Sequence, residues 1–438
     1  MDFFNMKHPA EHAGFAEAAR RGLASDQGLF FPYSIPKVDV RAVLDAQRFD
    51  RYRTLLGPFL APDFSDDDID EMTAAAFPFE APVVPVGDVS ALELFHGPTL
   101  AFKDFGARFM AQCLARIKGP EPMTILTATS GDTGAAVASA FKDAPGIRVV
   151  VLYPKGRISR AQEQLFCTLG GNVGTLAVNG SFDDCQALVK SAFDDAELVR
   201  RIGLNSANSI NVCRLTAQVL YFWDLCAAIP ESSRSGGLVV SVPSGNFGDL
   251  TAGLIAKAMG APISRFVAAT NANDTVPRFV SSGRWDPKPT VPTASNAMDV
   301  SRPSNWPRAE KILADNGWSL DARSVSEAGT VAAIKALDEL GYTGEPHCAV
   351  AYAALRDALR PGENGAFLCT AHPAKFADAV EAALGRTLPV PRAISESLAK
   401  KNLSLDLEPD AEALRAYLFG LGTAPGRGTG PASAGADQ

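Results

Sequence analysis

The sequence predicts an α/β protein built on parallel sheets that are covered by helices on both faces. Between about 90 and 270, short β-rich runs alternate with helical patterns, and the clearest runs occupy 123–127, 148–153, 174–178 and 238–242. Each of these runs is followed by a turn that contains Gly, Ser or Asp, and then by a helix. Strands that alternate with helices pair in parallel, because a helical crossover returns the chain to the same edge and covers the sheet.

The regions that flank this alternation have different patterns. From residue 1 to about 80 the sequence predicts a mostly helical part, since Phe15, Ala18 and Ala19 fall on one helical face and an acidic helix follows at 65–76. A stretch at 285–307 is rich in Pro, Ser and Asn and has little periodicity. We expect it to form a long ordered loop that crosses the surface or lines a site.

These patterns predict a division of the chain. We expect an N-terminal, mostly helical domain at 1–85, a core of two α/β subdomains at 86–385, a C-terminal helical segment at 386–423 and a disordered tail at 424–438. The tail is rich in Gly and Ala and has too little apolar surface to bury.

Composition excludes several classes of function. The chain has 438 residues and a net charge of -8 with no basic stripe, so nucleic acid and anionic membranes are poor partners. No apolar run approaches the ~18 residues of a membrane helix. The seven cysteines are scattered and form no CxxC pair, which is typical of a reduced cytoplasmic protein. The five histidines show no HExxH spacing, and we expect no metal.

Lys103 is the first candidate for chemistry. It follows a Gly-Pro turn and falls in the first turn of an amphipathic pattern, between Phe102 and Phe105. A cation at this position opposes the helix dipole. Lys103 is then either a surface charge whose stem passes apolar neighbours, or a lysine whose amine is kept neutral and serves as a nucleophile that forms a Schiff base.

Two Gly-rich turns stand at predicted strand-to-helix junctions. The first, SGDTG at 130–134, opens a small-residue helix, and its backbone N–H groups suit a carboxylate or phosphate. It could equally be a simple capped helix. The second, SGNFG at 244–248, is a credible phosphate cradle. It is not a Walker loop, a GxGxxG fingerprint or a nucleophile elbow.

Together, the lysine and the two turns resemble the pyridoxal-phosphate enzymes of the tryptophan-synthase β-subunit fold (fold type II). The likeness to the longer, bacterial and fungal type of threonine synthase extends over about 1–420, outside the Gly- and Ala-rich tail. It rests on QGLFFP at 27–32 and on LELFHGPTLAFKDFG, TATSGDTGAAVA, LNSANSINVCR, SVPSGNFGDLTAG, ATNANDTVPRF, SNAMDVSRPSNWPR and TAHPAKF, which follow in this order.

The resemblance implies a cofactor, a reaction and a set of site residues. The cofactor is pyridoxal 5'-phosphate, and a carbon-oxygen lyase converts O-phospho-L-homoserine and water to L-threonine and phosphate by γ-elimination and β-hydration. Lys103 would carry the cofactor and move protons, the turn at 130–134 would take the substrate carboxylate, and Asp132 would lie near the ring hydroxyl, where related enzymes often have Asn. The implied cofactor-binding residues are Lys103, Asp132, Gly245, Asn246, Phe247, Gly248 and Thr370, and those for the carboxylate are Ser130, Gly131, Thr133 and Gly134.

The substrate's own phosphate requires a second anion site. We expect cations and helix-start groups to form it, and the candidates are Lys155, Arg160, Asn208 and Arg214. Three alternatives stay open: another pyridoxal-phosphate eliminase such as a serine/threonine dehydratase, a catalytically silent homologue, and a phosphate-ester binding module without cofactor. We expect a monomer or small homo-oligomer.

Overall fold

The structure, a computed structural model, describes residues 1–117, 123–234 and 236–422. The tail predicted at 424–438 lies outside the described residues. The strands of the described part are, in chain order, β1 Asp2–Asn5, β2 His12–Gly14, β3 Phe30–Pro32, β4 Val83–Val86, β5 Val89–Glu93, β6 Met123–Ala128, β7 Ile147–Pro154, β8 Val173–Val178, β9 Leu204–Asn205, β10 Leu238–Pro243, β11 Arg265–Thr270, β12 Asp321–Ser324, β13 Asn364–Cys369 and β14 Leu405–Leu407.

The α-helices cover nearly half of the described chain. They are α1 Phe15–Arg21, α2 Val40–Asp45, α3 Arg48–Leu60, α4 Asp66–Ala76, α5 Lys103–Arg116, α6 Asp132–Ala140, α7 Arg160–Cys167, α8 Phe182–Asp194, α9 Ala196–Ile202, α10 Val212–Ala228, α11 Gly248–Met259, α12 Thr275–Ser282, α13 Trp306–Asn316, α14 Glu327–Glu339, α15 Pro346–Ala358, α16 Ala377–Leu384, α17 Arg392–Leu398 and α18 Ala411–Gly422.

Two sheets form the core and confirm the predicted fold class. The larger sheet has the strand order β12-β11-β10-β13-β5-β4, and all of its pairs are parallel except the antiparallel pair of β4 with β5. The second sheet has the order β14-β8-β7-β6-β9 and is parallel throughout. All residues of β6 and β10 are buried, as expected for central strands with helices on both faces.

The N-terminal part is mostly helical, but it also contains a sheet that the sequence did not predict. Strand β1 lies between β2 and β3 and pairs with each of them in antiparallel orientation. Strand β3 comprises Phe30–Pro32 of the QGLFFP motif. Strands of three or four residues are too short to establish an alternating pattern. The predicted acidic helix is α4, which begins with a capping box between Ser65 and Asp68.

The C-terminal segment, predicted to be helical, contains a strand as well. Its strand β14 lies between α17 and α18 and pairs in parallel with β8, so the segment completes the edge of the second sheet. Helix α18 packs against α8 and α9. The boundaries predicted at 85, 385 and 423 remain a proposal, but the segment after 385 is structurally part of the second sheet's half of the molecule.

Parallel strands bring their carboxyl ends together, and this arrangement builds the site. The turn at 130–134 follows β6, the turn at 244–248 follows β10, and Thr370 follows β13. Ligand sites of open α/β sheets form at such strand ends.

Candidate active site

Lys103 is the first residue of α5, and the segment before it is fixed to the end of β13. The Phe102 N–H donates to the carbonyl oxygen of Thr370 over 2.8 Å, and the His372 N–H donates to that of Leu100 over 3.0 Å. Leu100 has a φ of +58°, which is uncommon for a residue other than glycine. These bonds hold the start of α5 against the strand that carries Thr370.

The Lys103 side chain reaches into a pocket rather than into bulk water. Its Nζ lies 4.7 Å from the centroid of the Phe102 ring. Burial lowers the pKa of Lys103; the carboxylate of Asp132 acts against this shift, and the cation of Arg214 reinforces it. This shift makes the neutral amine easier to reach than in an exposed lysine, in the direction that the nucleophilic interpretation of Lys103 requires.

One pocket brings together most of the residues that the sequence singled out. It is lined by Lys103, Ser130, Asp132, Thr133, Asn208, Arg214, Gly245, Asn246, Phe247, Gly248 and Thr370. Gly131, Gly134, Lys155 and Arg160 are not among its lining residues.

The SGDTG turn is partly occupied by its own side chains. The Thr129 hydroxyl accepts the N–H of Gly131 over 2.9 Å and the N–H of Gly134 over 2.8 Å. The sequence predicts that this turn binds the substrate carboxylate; in the structure an internal hydroxyl binds two of its amides, those of Gly131 and Gly134. Ser130 and Thr133 line the pocket, and Asp132 and Thr133 contribute first-turn amides that have no partner four residues earlier in the helix.

Asp132 is held by an ion pair that the sequence did not predict. Its Oδ1 lies 2.7 Å from the Nζ of Lys375 and accepts a 3.0 Å hydrogen bond from the Nε2 of Gln162. Burial alone would raise the pKa of Asp132, but the charges of Lys375 and Lys103 outweigh it and hold the pKa well below its usual range. Asp132 is therefore a carboxylate.

The SGNFG turn forms a tight cradle at the start of α11. A Cβ on Gly245 would lie 2.6 Å from the Cα of Met298, so only glycine allows this approach. Phe247 has a φ of +61° and directly precedes the helix. The amides of Gly248 and its neighbours thus open a helix N-terminus at the pocket, which is a general arrangement for binding phosphate.

The Asn246 side chain serves the loop at 285–307 rather than the cradle. Its Nδ2 donates to the Oγ of Ser209 over 2.8 Å, and its Oδ1 accepts the N–H of Ser304 over 2.5 Å. Asp299, in the same loop, accepts from Asn271 over 2.9 Å and from the Thr293 hydroxyl over 2.7 Å. Residues of the predicted loop line the pocket, and Asn246 keeps its backbone N–H and one side-chain N–H for a ligand.

Two of the four candidates for the second anion site lie at the pocket. Arg214 is buried, its Nη1 donates to the carbonyl oxygen of Ala207 over 2.6 Å, and its Nε has no hydrogen-bond partner in the described part of the chain. Asn208 accepts from the Thr127 hydroxyl over 2.8 Å. Burial lowers the pKa of Arg214 to about 10, so it stays a cation at neutral pH.

Lys155 and Arg160 do not line this pocket. The Nζ of Lys155 pairs with Asp406 of β14 over 2.7 Å, and Arg160 is exposed at the start of α7. The exposed Arg302 lines the pocket instead and was not predicted.

A second acid, Asp249, also lines the pocket. Its Oδ1 accepts the N–H of Leu250 over 2.9 Å, whereas its buried Oδ2 has no hydrogen-bond partner among the described residues. Burial raises the pKa of Asp249 to about 7, against the opposing effects of the Leu250 N–H and the Lys103 charge. Lys375, Arg302 and Asp249 all lie inside motifs quoted above, but motif membership does not show which side chains face a pocket.

Comparison with known proteins shows the family to which the chain belongs. The chain matches the family described as "Pyridoxal-phosphate dependent enzyme" over residues 87–370 and the one described as "Threonine synthase, C-terminal" over residues 348–418. Threonine synthase of Haemophilus influenzae is 55% identical over 96% of this chain and 100% of its own length. The chain belongs to the threonine synthase family. It is therefore a pyridoxal-phosphate-dependent lyase of that family.

Solved structures of the threonine synthase family agree with this assignment. The crystal structure of threonine synthase from Escherichia coli matches with a TM-score of 0.92 at 54% identity, over 96% of this chain and 100% of that one. A pyridoxal-phosphate-bound threonine synthase from Brucella melitensis matches with a TM-score of 0.90 at 31% identity, over 97% of this chain and 100% of that one. A threonine deaminase from Solanum lycopersicum, at 17% identity and a TM-score of 0.56, shares the fold alone.

Two further features concern membranes and metals. Among the described residues, no helix is long and apolar enough to cross a membrane. The same residues contain no group of three or more His, Cys, Asp or Glu side chains that could hold a metal ion.

Proposed function

We propose that this chain converts O-phospho-L-homoserine and water to L-threonine and phosphate. One observation carries the proposal. In this member of the threonine synthase family, a lysine with a lowered pKa shares one pocket with the SGNFG turn, which suits a phosphate, and the SGDTG turn, which suits a carboxylate. Such a pocket suits a small amino acid that carries a phosphate, together with a phosphorylated cofactor.

The residues present fit pyridoxal phosphate. The cradle at Gly245 leaves no room for a Cβ, and the amides at the start of α11 suit the cofactor's phosphate. Thr370, buried at the end of β13, offers a hydroxyl to the pyridine nitrogen. When bound, pyridoxal phosphate supplies the electron sink that stabilises negative charge next to the substrate's amino group, which no side chain provides.

Lys103 would bond to the cofactor and then hold and transfer protons at its Nζ. Burial lowers the pKa of Lys103 and so makes the neutral amine more accessible, and this is the form that attacks an aldehyde carbon and accepts a proton. The hydrogen bond from the Phe102 N–H to the Thr370 carbonyl oxygen holds the start of the helix that carries Lys103, and so limits where its amine can lie.

The substrate's two anionic groups would bind on different walls. The Ser130 and Thr133 hydroxyls and the first amides of α6 would take the carboxylate. Arg214, with Asn208 beside it, would take the phosphate, because Arg214 is a cation that lines the pocket. Arg302 at the rim is a further cation for the same group.

The decisive experiment measures phosphate and threonine release from O-phosphohomoserine and compares it with ammonia release from serine or threonine. The purified protein with pyridoxal phosphate should release phosphate and threonine from O-phosphohomoserine, and Lys103→Ala should abolish both this turnover and the visible absorbance of the bound cofactor. Full activity of Lys103→Ala would refute the role of Lys103. Ammonia release from serine or threonine without phosphate release from phosphohomoserine would instead indicate a dehydratase.

The proposal also covers the location and the oligomeric state of the protein. All seven cysteines are free and buried, and this pattern supports a reducing, cytoplasmic location. We keep the expectation of a monomer or small homo-oligomer, which size-exclusion chromatography with light scattering would test.

A further inference from the structure

Lys375 is a buried cation just behind the pocket. Its side chain is 0% exposed, that of its partner Asp132 is 3% exposed, and the two charged atoms lie 2.7 Å apart. Lys375 is not one of the residues that line the pocket, whereas Asp132 is. Any effect of Lys375 on a ligand must therefore act through the residues that it contacts.

The Lys375 ammonium joins two parts of the site. Besides its contact with Asp132 at the start of α6, its Nζ donates to the carbonyl oxygen of Thr99 over 2.8 Å. The N–H and hydroxyl of Thr99 donate in turn to Asp104, the residue after Lys103, over 2.8 Å and 2.6 Å. One side chain thus links the SGDTG turn of the five-stranded sheet to the segment that positions Lys103.

We propose that Lys375 is a positioning residue that keeps Asp132 a carboxylate and fixes it as a hydrogen-bond acceptor at the pocket wall. The proposal rests on the proposed function. Lys375 and Gln162 both contact Oδ1 of Asp132, and this leaves Oδ2 for a ligand. Pyridoxal phosphate carries a hydroxyl next to the aldehyde that Lys103 would take, so that hydroxyl is the donor which an acceptor beside Lys103 would meet.

The chemistry of buried charges explains why the two residues occur together. A buried carboxylate without a counter-ion is strongly destabilising, and so is a buried ammonium without an acid. Removing both charges at once leaves no unpaired ion and is tolerated far better. The pair Asp132 and Lys375 is therefore expected to behave as a unit, and an amide at position 132 should make the lysine dispensable for folding.

The test uses Lys375→Met, Asp132→Asn, the double variant and Lys257→Met. Lys257 is the matched control: it is a partly buried lysine whose Nζ, like that of Lys375, donates to a backbone carbonyl, that of Ile263 over 2.9 Å, but it lies outside the pocket. Two quantities are measured for each protein: the Kd of pyridoxal phosphate for the cofactor-free protein and the visible absorption spectrum of the loaded protein.

We expect each single variant at the pair to raise the Kd by roughly tenfold or more. The Kd of the double variant should return most of the way to that of the wild type. Its spectrum should still differ from that of the wild type, because no carboxylate faces the ring hydroxyl. Lys257→Met should change neither quantity.

Three results would overturn the proposal. The first is a Lys375→Met protein with the Kd and spectrum of the wild type, and the second is a double variant no better than Lys375→Met. The third applies if Lys375→Met does not fold: a double variant that also fails to fold would show that Lys375 is needed for packing alone. Absence of cofactor binding in the wild type would refute the proposed function instead, so the two failures are distinguishable.

Discussion

The hydroxyl oxygen of Thr129 accepts a hydrogen bond from the backbone N–H of Gly134 over 2.8 Å and another from that of Gly131 over 2.9 Å. Thr129 is buried at the end of β6, and its methyl group packs where a Cβ on Gly134 would lie. This one side chain sets the path of the turn and decides which of its amides remain for a ligand.

Thr129→Val should therefore destabilise the fold and weaken substrate binding. The valine keeps the shape but leaves two buried N–H groups without an acceptor, at a cost of about 2–4 kcal/mol in the free energy of unfolding. Urea unfolding and the KM for O-phosphohomoserine measure the two effects. Thr129→Ser keeps the hydroxyl acceptor, so its free energy of unfolding and its KM should stay close to those of the wild type. A Thr129→Val protein as stable as Thr129→Ser would contradict the role of the hydroxyl.

Asp249 gives a prediction about pH. Its pKa is raised to about 7 by burial, above the value of an unfolded aspartate, so the native state binds a proton more tightly than the unfolded state does. This contribution to stability is fully present at low pH and is lost as pH rises through about 7. The unfolding free energy of the cofactor-free wild type should fall by about 2 kcal/mol relative to Asp249→Asn between pH 5 and pH 8. Parallel stability curves for the two proteins would show that Asp249 does not titrate in this range.

The sequence predicted those parts of the molecule that depend on local pattern. Central strands such as β6 and β10 are buried on both faces and so appear as short apolar runs. Turns at the carboxyl ends of parallel strands are the expected ligand sites of such sheets, and the position of Lys103 at the start of a helix follows from the Gly-Pro turn and the amphipathic pattern. Local signals were sufficient for the lysine and the two turns.

What the sequence missed depends on pairing between distant segments. Lys155 follows a central strand, as a ligand-binding residue could, but Asp406 binds it from a position 251 residues later. The strand that carries Asp406 has only three residues, two of them exposed, and therefore lacks a hydrophobic pattern. Lys375 and Asp132 are likewise remote in sequence, and only the packed structure shows that the acid in the SGDTG turn has a buried counter-ion.

Arg214 and Lys155 provide a direct test of the second anion site. Arg214→Lys keeps the positive charge but loses the planar guanidinium and its forked set of donors, so the KM for O-phosphohomoserine should rise by roughly tenfold with little change in the Kd of pyridoxal phosphate. Lys155→Ala removes only a surface ion pair with Asp406 and should leave both values unchanged. If Lys155→Ala raises the KM for O-phosphohomoserine and Arg214→Lys does not, the substrate phosphate binds near Lys155 and not near Arg214.

The contact between Gly245 and Met298 gives the sharpest test of the cofactor cradle. In Gly245→Ala the added Cβ would lie 2.6 Å from the Cα of Met298, so either the turn or the loop at 285–307 must move. Because backbone N–H groups hold a phosphate only in a fixed arrangement, we expect the Kd of pyridoxal phosphate to rise by at least roughly tenfold.

Gly57→Ala is the matched control for that variant. Gly57 lies inside α3, directly before Pro58, and a Cβ there meets nothing within 4 Å among the described residues other than its chain neighbours. Alanine has the higher helix propensity, but its Cβ crowds the Pro58 ring, so the two effects on stability oppose each other and cofactor binding should stay unchanged. Cofactor titration and thermal unfolding of both variants separate the two effects. A Gly245→Ala protein that binds pyridoxal phosphate as tightly as Gly57→Ala would mean that the SGNFG turn does not hold the phosphate, since its amides could then move without loss of affinity.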